Sequence, residues 1–368
     1  MAGKSTEGPE TQNLRGRSAR IRALLSELGA DSLLVSHLPN VRYLCGFSGS
    51  AGVLLVGRAG STLFTDARYT FQSREEVIGA EIRIAKKGIL RAVGQTLQAR
   101  RRWRVAYSAT HMTVAEKQLL EGMATGVRWV ADDNVVEKLR AVKDGQELAR
   151  IRKAAILISD VFRQTLPLIR AEITELELAA EIERSIKRGG GSGPSFETIV
   201  ASGPRSAWAH ARPTSKLLRK SELVVCDQGA IIAGYCSDMT RTVHVGRASA
   251  KVRGLYQAVR DAQQASKQAI RPGATAGDVD RAARATLKSS QLDRYFTHST
   301  GHGLGLEVHE MPRLGKGEQT VLREGMVLTV EPGVYLEGLG GVRIEDDVIV
   351  TASGYDDLTT APRDFLEL

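Results

Sequence analysis

The sequence predicts two domains, an N-terminal α/β domain and a C-terminal α+β domain. The chain has 368 residues, which is more than two domains of about 150 residues each. Short apolar runs alternate with helical patterns up to residue 136, an order that is typical of α/β domains. Beyond that point strand-like runs lie on either side of two helices, which favours an α+β arrangement.

The first domain is predicted to cover residues 15–136, after a flexible polar tail at 1–14. Apolar residues at helical spacing predict a helix from Arg15 to Leu28, because Gly29 ends the pattern. Short apolar runs between turn residues predict the strands of this domain, which are Asp31–Ser36, Gly52–Val56, Ser61–Phe64 and Arg104–Tyr107.

The second domain is predicted to cover residues 137–368 and to begin with a linker helix. The stretch Val135–Leu168 is rich in Ala, Leu, Ile, Lys and Arg and contains no glycine after Gly145. Further helices are predicted at Thr174–Arg188, at Val252–Ile270 and from Ala276. The predicted strands are Thr198–Ala201, Leu223–Gln228, Ile232–Thr242, Met326–Val330, Val342–Ile344 and Asp347–Val350.

Acidic residues stand inside or beside the apolar strands of the second domain, namely Asp227, Asp238, Glu331 and Glu345. A buried ionised carboxylate persists only when it is paired or bound to a metal. Each of them alone fits a salt bridge at a strand end, but four in one domain favour a common site.

Histidines are concentrated in the same domain. His298, His302 and His309 fall close together, and the glycines between them let the backbone approach a ligand closely. Four carboxylates and one imidazole form a ligand set that suits Mn²⁺, Co²⁺, Fe²⁺ or Zn²⁺. The charge of four carboxylates balances two divalent ions, which can share a water whose lowered pKa makes it a nucleophile for hydrolysis.

The motifs around these residues resemble the pita-bread metallopeptidases, which include Xaa-Pro aminopeptidase, Xaa-Pro dipeptidase (prolidase) and methionine aminopeptidase. The matching strings are Asp227-Gln228-Gly229-Ala230, Ser237-Asp238-Met239-Thr240-Arg241-Thr242, Thr300-Gly301-His302-Gly303-Leu304-Gly305, Glu331-Pro332-Gly333 and Arg343-Ile344-Glu345-Asp346. In the first domain, Asn40–Ser50 and Phe64–Tyr69 resemble the N-terminal domain of the Xaa-Pro branch. The resemblance implies an α/β N-terminal domain and an α+β pita-bread catalytic domain.

The resemblance implies that five residues bind metal. Asp227 would bind one ion, and Asp238 and Glu345 would bridge both ions. His302 and Glu331 would bind the second ion. Glu331 would also carry a proton from the bridging water to the leaving nitrogen. The implied cofactors are two divalent ions, with Mn²⁺ as the first expectation and Co²⁺ or Zn²⁺ as alternatives.

The resemblance also implies catalytic and substrate-binding residues outside the ligand set. His210 would contact the substrate near the scissile bond, and His309 would stabilise the oxyanion. His298 and Arg343 would shape the substrate side of the site.

The expected substrate is a peptide with proline at its second position. We expect an Xaa-Pro aminopeptidase, because the compact chain and the short Glu331–Glu345 interval resemble the small aminopeptidases P. The alternative is an Xaa-Pro dipeptidase, which shares both traits and must recognise a free carboxylate. A non-catalytic pita-bread binding protein is a distant alternative, because all five ligand residues are present.

The net charge of +9 allows a different interpretation. The basic run from Arg83 to Arg104 fits contact with phosphate, although we expect a solvated face and no nucleic-acid partner. The sequence shows no signal peptide and no apolar run of membrane-spanning length, so we expect a cytoplasmic protein without a membrane partner. We expect a homodimer.

Overall fold

A computed structural model describes residues 9–132 and 134–368. The chain divides into two compact units after Arg140, where the sequence predicted a boundary after residue 136. Of the predicted tail, residues 1–8 lie outside the described residues, and 9–14 belong to a helix. Its apolar residues Leu14 and Ile21 recur at helical spacing and are both buried.

The first unit combines helices with one mixed sheet. Its helices are α1 (Pro9–Leu24), α2 (Leu38–Cys45), α3 (Thr70–Glu76), α4 (Ile89–Gln98), α5 (Val114–Met123) and α6 (Val135–Arg140). Its strands are β1 (Ser32–Val35), β2 (Gly52–Gly57), β3 (Ser61–Asp66), β4 (Ala80–Ala85), β5 (Arg104–Ser108) and β6 (Arg128–Asp132).

The sheet of the first unit has the strand order β4-β3-β2-β1-β5-β6. Strands β1, β2 and β3 pair antiparallel, whereas β3–β4, β1–β5 and β5–β6 pair parallel. Strand β4 was not predicted, because only one face of it carries apolar residues and its side chains are half-buried or exposed along most of its length. The α/β class predicted for this unit is confirmed.

The second unit begins with long helices and continues with short strands. Its helices are α7 (Gly145–Thr165), α8 (Glu175–Arg188), α9 (Ala250–Gln268) and α10 (Ala276–Ser289). Its strands are β7 (Ile199–Ser202), β8 (Leu223–Gln228), β9 (Ile231–Ile232), β10 (Tyr235–Cys236), β11 (Met239–His244), β12 (Gly301–Gly303), β13 (Glu310–Leu314), β14 (Val327–Val330), β15 (Gly333–Leu336), β16 (Gly340–Arg343), β17 (Asp346–Val350) and β18 (Tyr355–Asp357). Within the described residues, no helix is both long and apolar enough to cross a membrane.

The helical stretch predicted over Val135–Leu168 is interrupted. Helix α6 ends at Arg140 and α7 begins at Gly145, because the Asp144 carboxylate accepts hydrogen bonds from the backbone N–H groups of Gln146 and Glu147. Such a cap fixes the first turn of a new helix. A run of good helix formers therefore predicted helical content correctly but concealed the break.

The strands of the second unit form antiparallel sheets, and helices pack against them. The first sheet has the order β11-β8-β7, the second has the order β13-β12-β14-β17-β18, and two smaller sheets pair β10 with β9 and β15 with β16. The apolar face of α8 packs on the first sheet, where Leu178, Ile182, Val224 and Met239 are fully or almost fully buried. At about 25 cal/mol per Å² of apolar surface, such burial is the main favourable contribution to folding. It holds the strands that carry the acidic residues.

A buried ionic cluster joins the C-terminal segments of the second unit. Asp346 lies at 2.8 Å from Arg241, 3.1 Å from Lys267 and 2.5 Å from Arg363. Burial alone would raise the pKa of Asp346, but the Arg241 and Lys267 charges hold it below its ordinary value. The carboxylate is therefore ionised and compensates cations that are otherwise costly to bury.

We expect Asp346→Asn to lower the free energy of unfolding by about 3–5 kcal/mol, because the buried cations lose their common counter-charge. Urea unfolding curves, monitored by circular dichroism, measure this change. The matched control is Asp364→Asn, which removes an exposed partner of Arg260 and should cost less than about 1 kcal/mol. Equal losses in both variants would contradict this account of the cluster.

Candidate active site

Two of the predicted acidic residues come from the first sheet of the second unit. Asp227 lies in β8, and Asp238 immediately precedes β11. The strands pair antiparallel, with Thr240 opposite Asp227. Because successive side chains of a strand alternate between its two faces, Asp238 and Thr240 lie on the same face as Asp227.

The other predicted ligand residues come from the second sheet. His302 lies in β12, Glu331 follows β14, and Glu345 lies between β16 and β17. The backbone N–H of Glu345 donates to the Thr240 carbonyl at 3.1 Å, which ties this strand end to β11. Asp227 and Glu345, which are more than one hundred positions apart in the sequence, thereby lie close together.

These side chains line a cavity of about 290 Å³. All five predicted ligand residues contribute to its wall, together with three of the four predicted substrate-side residues. The lining residues are Phe196, Glu197, Thr198, Ile199, His210, Arg212, Asp227, Asp238, His302, Val308, His309, Glu331, Arg343 and Glu345. His298 does not line the cavity. It contacts the Tyr335 hydroxyl, which in turn accepts a hydrogen bond from Arg343 in the cavity wall.

The ligand atoms converge most closely around His302. Asp238, His302 and Glu345 each offer one atom within 4.8 Å of the other two. The Nε2 atom of His302 also lies 3.5 Å from Glu331 Oε1. Asp227 is held differently, because its Oδ2 accepts a hydrogen bond from Arg343 Nη2 at 2.6 Å.

The carboxylates of the cluster destabilise one another. Burial and the nearby Glu345 raise the pKa of Asp238 well above its usual range, and burial and Glu331 do the same for Glu345. Burial raises the pKa of Glu331 to about 8. Hard divalent cations offset such repulsion because they bind carboxylate oxygens directly.

Two oxygen atoms of the cluster fit a metal ion well. Asp227 Oδ1 and Asp238 Oδ1 are buried and have no hydrogen-bond partner among the described residues. An unsatisfied buried acceptor costs free energy unless a cation or another donor compensates it. The donor set and these free oxygens therefore suit divalent ions.

His302 presents a lone pair to the carboxylates. Its Nδ1 donates to the Gly303 carbonyl at 3.0 Å, so Nε2 carries no proton in the neutral ring. Burial and the neighbouring His309 lower the pKa of His302 to about 4, which keeps the ring neutral at physiological pH. A neutral imidazole whose other nitrogen is held by a carbonyl is the usual form of a metal-binding histidine.

Arg343 connects the acidic cluster to the substrate side of the cavity. Besides Asp227, its guanidinium donates to Thr240 Oγ1 at 3.0 Å and to the Ala209 carbonyl at 3.0 Å. It also donates to the Tyr335 hydroxyl at 2.8 Å. Arg343 therefore positions Asp227 and the backbone next to His210 at the same time.

His298 acts on the cavity through Tyr335. Its Nδ1 donates to the Ser299 carbonyl, so its Nε2 accepts the Tyr335 hydroxyl hydrogen at 2.9 Å. Burial and the Arg343 charge lower the pKa of His298 to about 4, so the ring is neutral. The substrate-side position predicted for His298 is therefore indirect, because Tyr335 stands between it and Arg343.

His210 and His309 are exposed residues of the cavity wall. The ring centroid of His309 lies 4.3 Å from that of His302. Partial burial and the nearby His210 lower the pKa of His309, so it is neutral and able to donate a ring N–H. Both residues line the same cavity as the acidic residues, and their catalytic roles stay predictions.

Sequence reasoning missed three polar residues of the site. Thr240 Oγ1 donates to Glu345 Oε2 at 2.6 Å, and Tyr335 links His298 to Arg343. Asp347 accepts the Asp238 backbone N–H at 3.0 Å. Strand alternation would have placed Thr240 beside Asp238, but nothing local in the sequence marks Tyr335.

Known protein families match both units of the chain. Residues 149–352 match the sequence model of Metallopeptidase family M24, and residues 17–142 match the Creatinase/Prolidase N-terminal domain. The chain belongs to metallopeptidase family M24. It is therefore a metallopeptidase with the pita-bread catalytic domain and the accessory N-terminal domain that the sequence motifs implied.

Individual members of the M24 family match almost the whole chain. An Xaa-Pro dipeptidase of Pyrococcus horikoshii is 34% identical over 94% of this chain and 97% of its own length. The structure of an Xaa-Pro dipeptidase from Bacillus anthracis superposes with a TM-score of 0.93 at 34% identity, over 97% of this chain and 100% of its own. An X-Pro aminopeptidase from Thermotoga maritima has a TM-score of 0.88 at 33% identity, over 95% and 99%.

We expect divalent metal to stabilise this M24 protein more strongly at pH 8 than at pH 6. Without metal, the raised pKa values of Asp238, Glu331 and Glu345 mean that the folded state holds protons that the unfolded state has lost. Stability from these groups is therefore present at acid pH and declines as the pH rises towards about 8. A cation replaces these protons, so its effect grows over the same range.

Thermal unfolding with Mn²⁺ or with a chelator, at both pH values, measures this difference. Asp238→Asn is the matched variant, because it removes one carboxylate from the cluster and should reduce the metal-induced rise in Tm. A rise in Tm that is equal at both pH values would contradict the titration argument.

Proposed function

We propose that this protein is an Xaa-Pro dipeptidase that uses two divalent metal ions. The buried cluster of four carboxylates and a neutral histidine carries this proposal, because it lies in a protein of the M24 family. Relatives named Xaa-Pro dipeptidase match nearly the full chain in sequence and in structure. These comparisons favour the dipeptidase alternative over the aminopeptidase that the chain length and motif spacing led us to expect.

Five residues would hold the ions: Asp227, Asp238, His302, Glu331 and Glu345. The free oxygens of Asp227 and Asp238 and the lone pair of His302 support their assignment as ligands. When bound, the ions supply Lewis acidity, which polarises a carbonyl and lowers the pKa of water. We propose Mn²⁺ as the first metal to test, with Co²⁺ and Zn²⁺ as alternatives.

Glu331 is the proposed proton carrier. It lines the cavity beside the other proposed ligands, and a carboxylate next to a water acidified by bound ions can accept its proton and pass it on. It would take a proton from the attacking water and give it to the proline nitrogen as the C–N bond breaks. The leaving group then departs as a neutral secondary amine rather than as an anion.

His210 and His309 are proposed to bind the substrate carbonyl region. Both line the cavity beside the acidic cluster, and His309 is neutral because burial and His210 lower its pKa. A neutral ring N–H can donate to the oxygen that gains negative charge during hydrolysis. An Xaa-Pro bond has no N–H of its own, so the enzyme must recognise such a substrate through its carbonyl and its ring.

We expect the metal-loaded enzyme to hydrolyse Ala-Pro at least about tenfold faster, in kcat/KM, than Ala-Pro-Ala, because a dipeptidase site binds the free carboxylate after proline. Chromatography of the released N-terminal residue over time measures both rates. Ala-Ala is the control for proline preference. Faster cleavage of Ala-Pro-Ala would restore the aminopeptidase assignment.

We expect Glu331→Gln to lower kcat on Ala-Pro by about 10²–10⁴-fold, because an amide can neither accept nor deliver the proton. Metal content is measured in the same sample, since Glu331 is also a proposed ligand. The matched control is Glu324→Gln, which changes an exposed carboxylate outside the cavity wall. A variant that retains metal and a normal kcat would refute the proton-carrier role.

A further inference from the structure

A buried carboxylate outside the acidic cluster binds the segment that carries His210. Glu175 is the first residue of α8 and is completely buried. Its Oε1 accepts hydrogen bonds from the backbone N–H and the hydroxyl of Ser202, at 2.9 Å and 2.8 Å. Its Oε2 accepts the same pair of groups from Thr214, at 3.1 Å and 2.8 Å.

Ser202 and Thr214 stand at the two ends of one loop. The loop, residues 203–213, connects β7 to the segment before β8, and it carries His210 and Arg212 to the cavity wall. A single side chain therefore holds both ends of the segment that presents His210. A carboxylate has about four lone-pair sites, so it can accept hydrogen bonds from both ends of the loop at once.

Arg205 extends this attachment into the loop itself. Its Nε lies 3.1 Å from Glu175 Oε2, and its Nη2 donates to the Arg212 carbonyl at 2.6 Å. Its guanidinium also lies 5.0 Å from the centre of the Trp208 ring. Cations thus hold the backbone before and after His210, because the Ala209 carbonyl accepts from Arg343 at 3.0 Å and the Arg212 carbonyl accepts from Arg205.

A buried ion pair is a costly way to gain stability, because well-packed apolar residues of similar volume often stabilise a protein as much or more. Fixed hydrogen-bond directions offer something that apolar packing does not, which is one defined backbone position for the loop. The arrangement of Glu175 therefore suits control of geometry better than it suits stability alone.

We propose that Glu175, together with Arg205, is a positioning residue that fixes the 203–213 loop and thereby sets where His210 meets the substrate. This inference rests on the proposed function, because contact between His210 and the substrate is part of it. Catalytic rates depend on such placement, and a displacement of about 1 Å can cost about 10²-fold.

A double-mutant cycle tests the proposal. In the metal-loaded enzyme, Glu175→Gln should lower kcat/KM for Ala-Pro by about 10–100-fold, since the amide nitrogen cannot accept the bonds that one oxygen accepted. In a His210→Ala background the same substitution should have an effect of less than about twofold, because its target is gone. Equal effects in both backgrounds, or no effect in the wild type, would overturn the proposal.

The matched control is Glu147→Gln. Glu147 is also a buried glutamate in the first turn of a helix, and it bonds to the Tyr235 hydroxyl rather than to the loop. Its effect on kcat/KM should be the same with and without His210. If Glu175→Gln does not fold, Arg205→Lys replaces it, because a lysine keeps the charge but cannot reach both Glu175 and the Arg212 carbonyl.

Hydrogen exchange separates this proposal from the proposed function. Amide exchange of residues 203–214 should accelerate at least about tenfold in Glu175→Gln or Arg205→Lys and stay unchanged in Glu147→Gln. An unchanged exchange rate would overturn the positioning role even in an active enzyme. If these variants exchange faster but the wild-type protein cleaves no Xaa-Pro peptide, the loop attachment is supported and only the dipeptidase function is refuted.

Discussion

Mutual repulsion among buried carboxylates is the constraint on which the second unit depends. Asp227, Asp238, Glu331 and Glu345 converge on one cavity, and burial raises the pKa of three of them. Folding alone does not offset this cost, because desolvated charges of one sign repel strongly in a protein interior. A divalent cation offsets this free-energy cost by neutralising the carboxylates. The stronger their repulsion without metal, the more favourable metal binding is.

The remaining structure of the unit keeps these carboxylates in place. Arg343 and Thr240 hold the side chains of Asp227 and Glu345, and Asp347 binds the backbone of Asp238. Next to them, the compensated cluster around Asp346 joins β11 to β17 and the C-terminal segment. Rigid support of this kind keeps ligands in position before the ion arrives, which is what tight metal sites require.

The two sides of the cavity are built by different means. The acidic side is held by paired strands, whose backbone hydrogen bonds fix the register of its residues. The histidine side carries His210 on a loop, and a loop has no ladder of backbone hydrogen bonds. Side-chain bonds take their place, because Glu175 binds both ends of the loop and Arg343 binds the carbonyl next to His210. Strand pairing therefore positions the proposed metal ligands, whereas side-chain hydrogen bonds position the loop that carries His210.

The sequence by itself determined the α/β and α+β classes, the five proposed ligand residues and the family. It did so because each acidic ligand interrupts or ends an apolar run and His302 stands in a glycine-rich motif, and both signals are local. It also placed His210, His309 and Arg343 at the site through their motifs. The sequence did not determine whether the enzyme is an aminopeptidase or a dipeptidase, since both kinds of enzyme share this chain length and motif spacing.

Only the tertiary structure decided which groups touch. Asp238 meets Asp347 across 109 positions, and Glu175 meets Thr214 across 39. Local periodicity reports which face of an element is buried, but it carries no information on which distant element covers that face. Tyr335, Glu175 and the indirect role of His298 were invisible for that reason, because their contacts exist only once the sheets and the loop have come together.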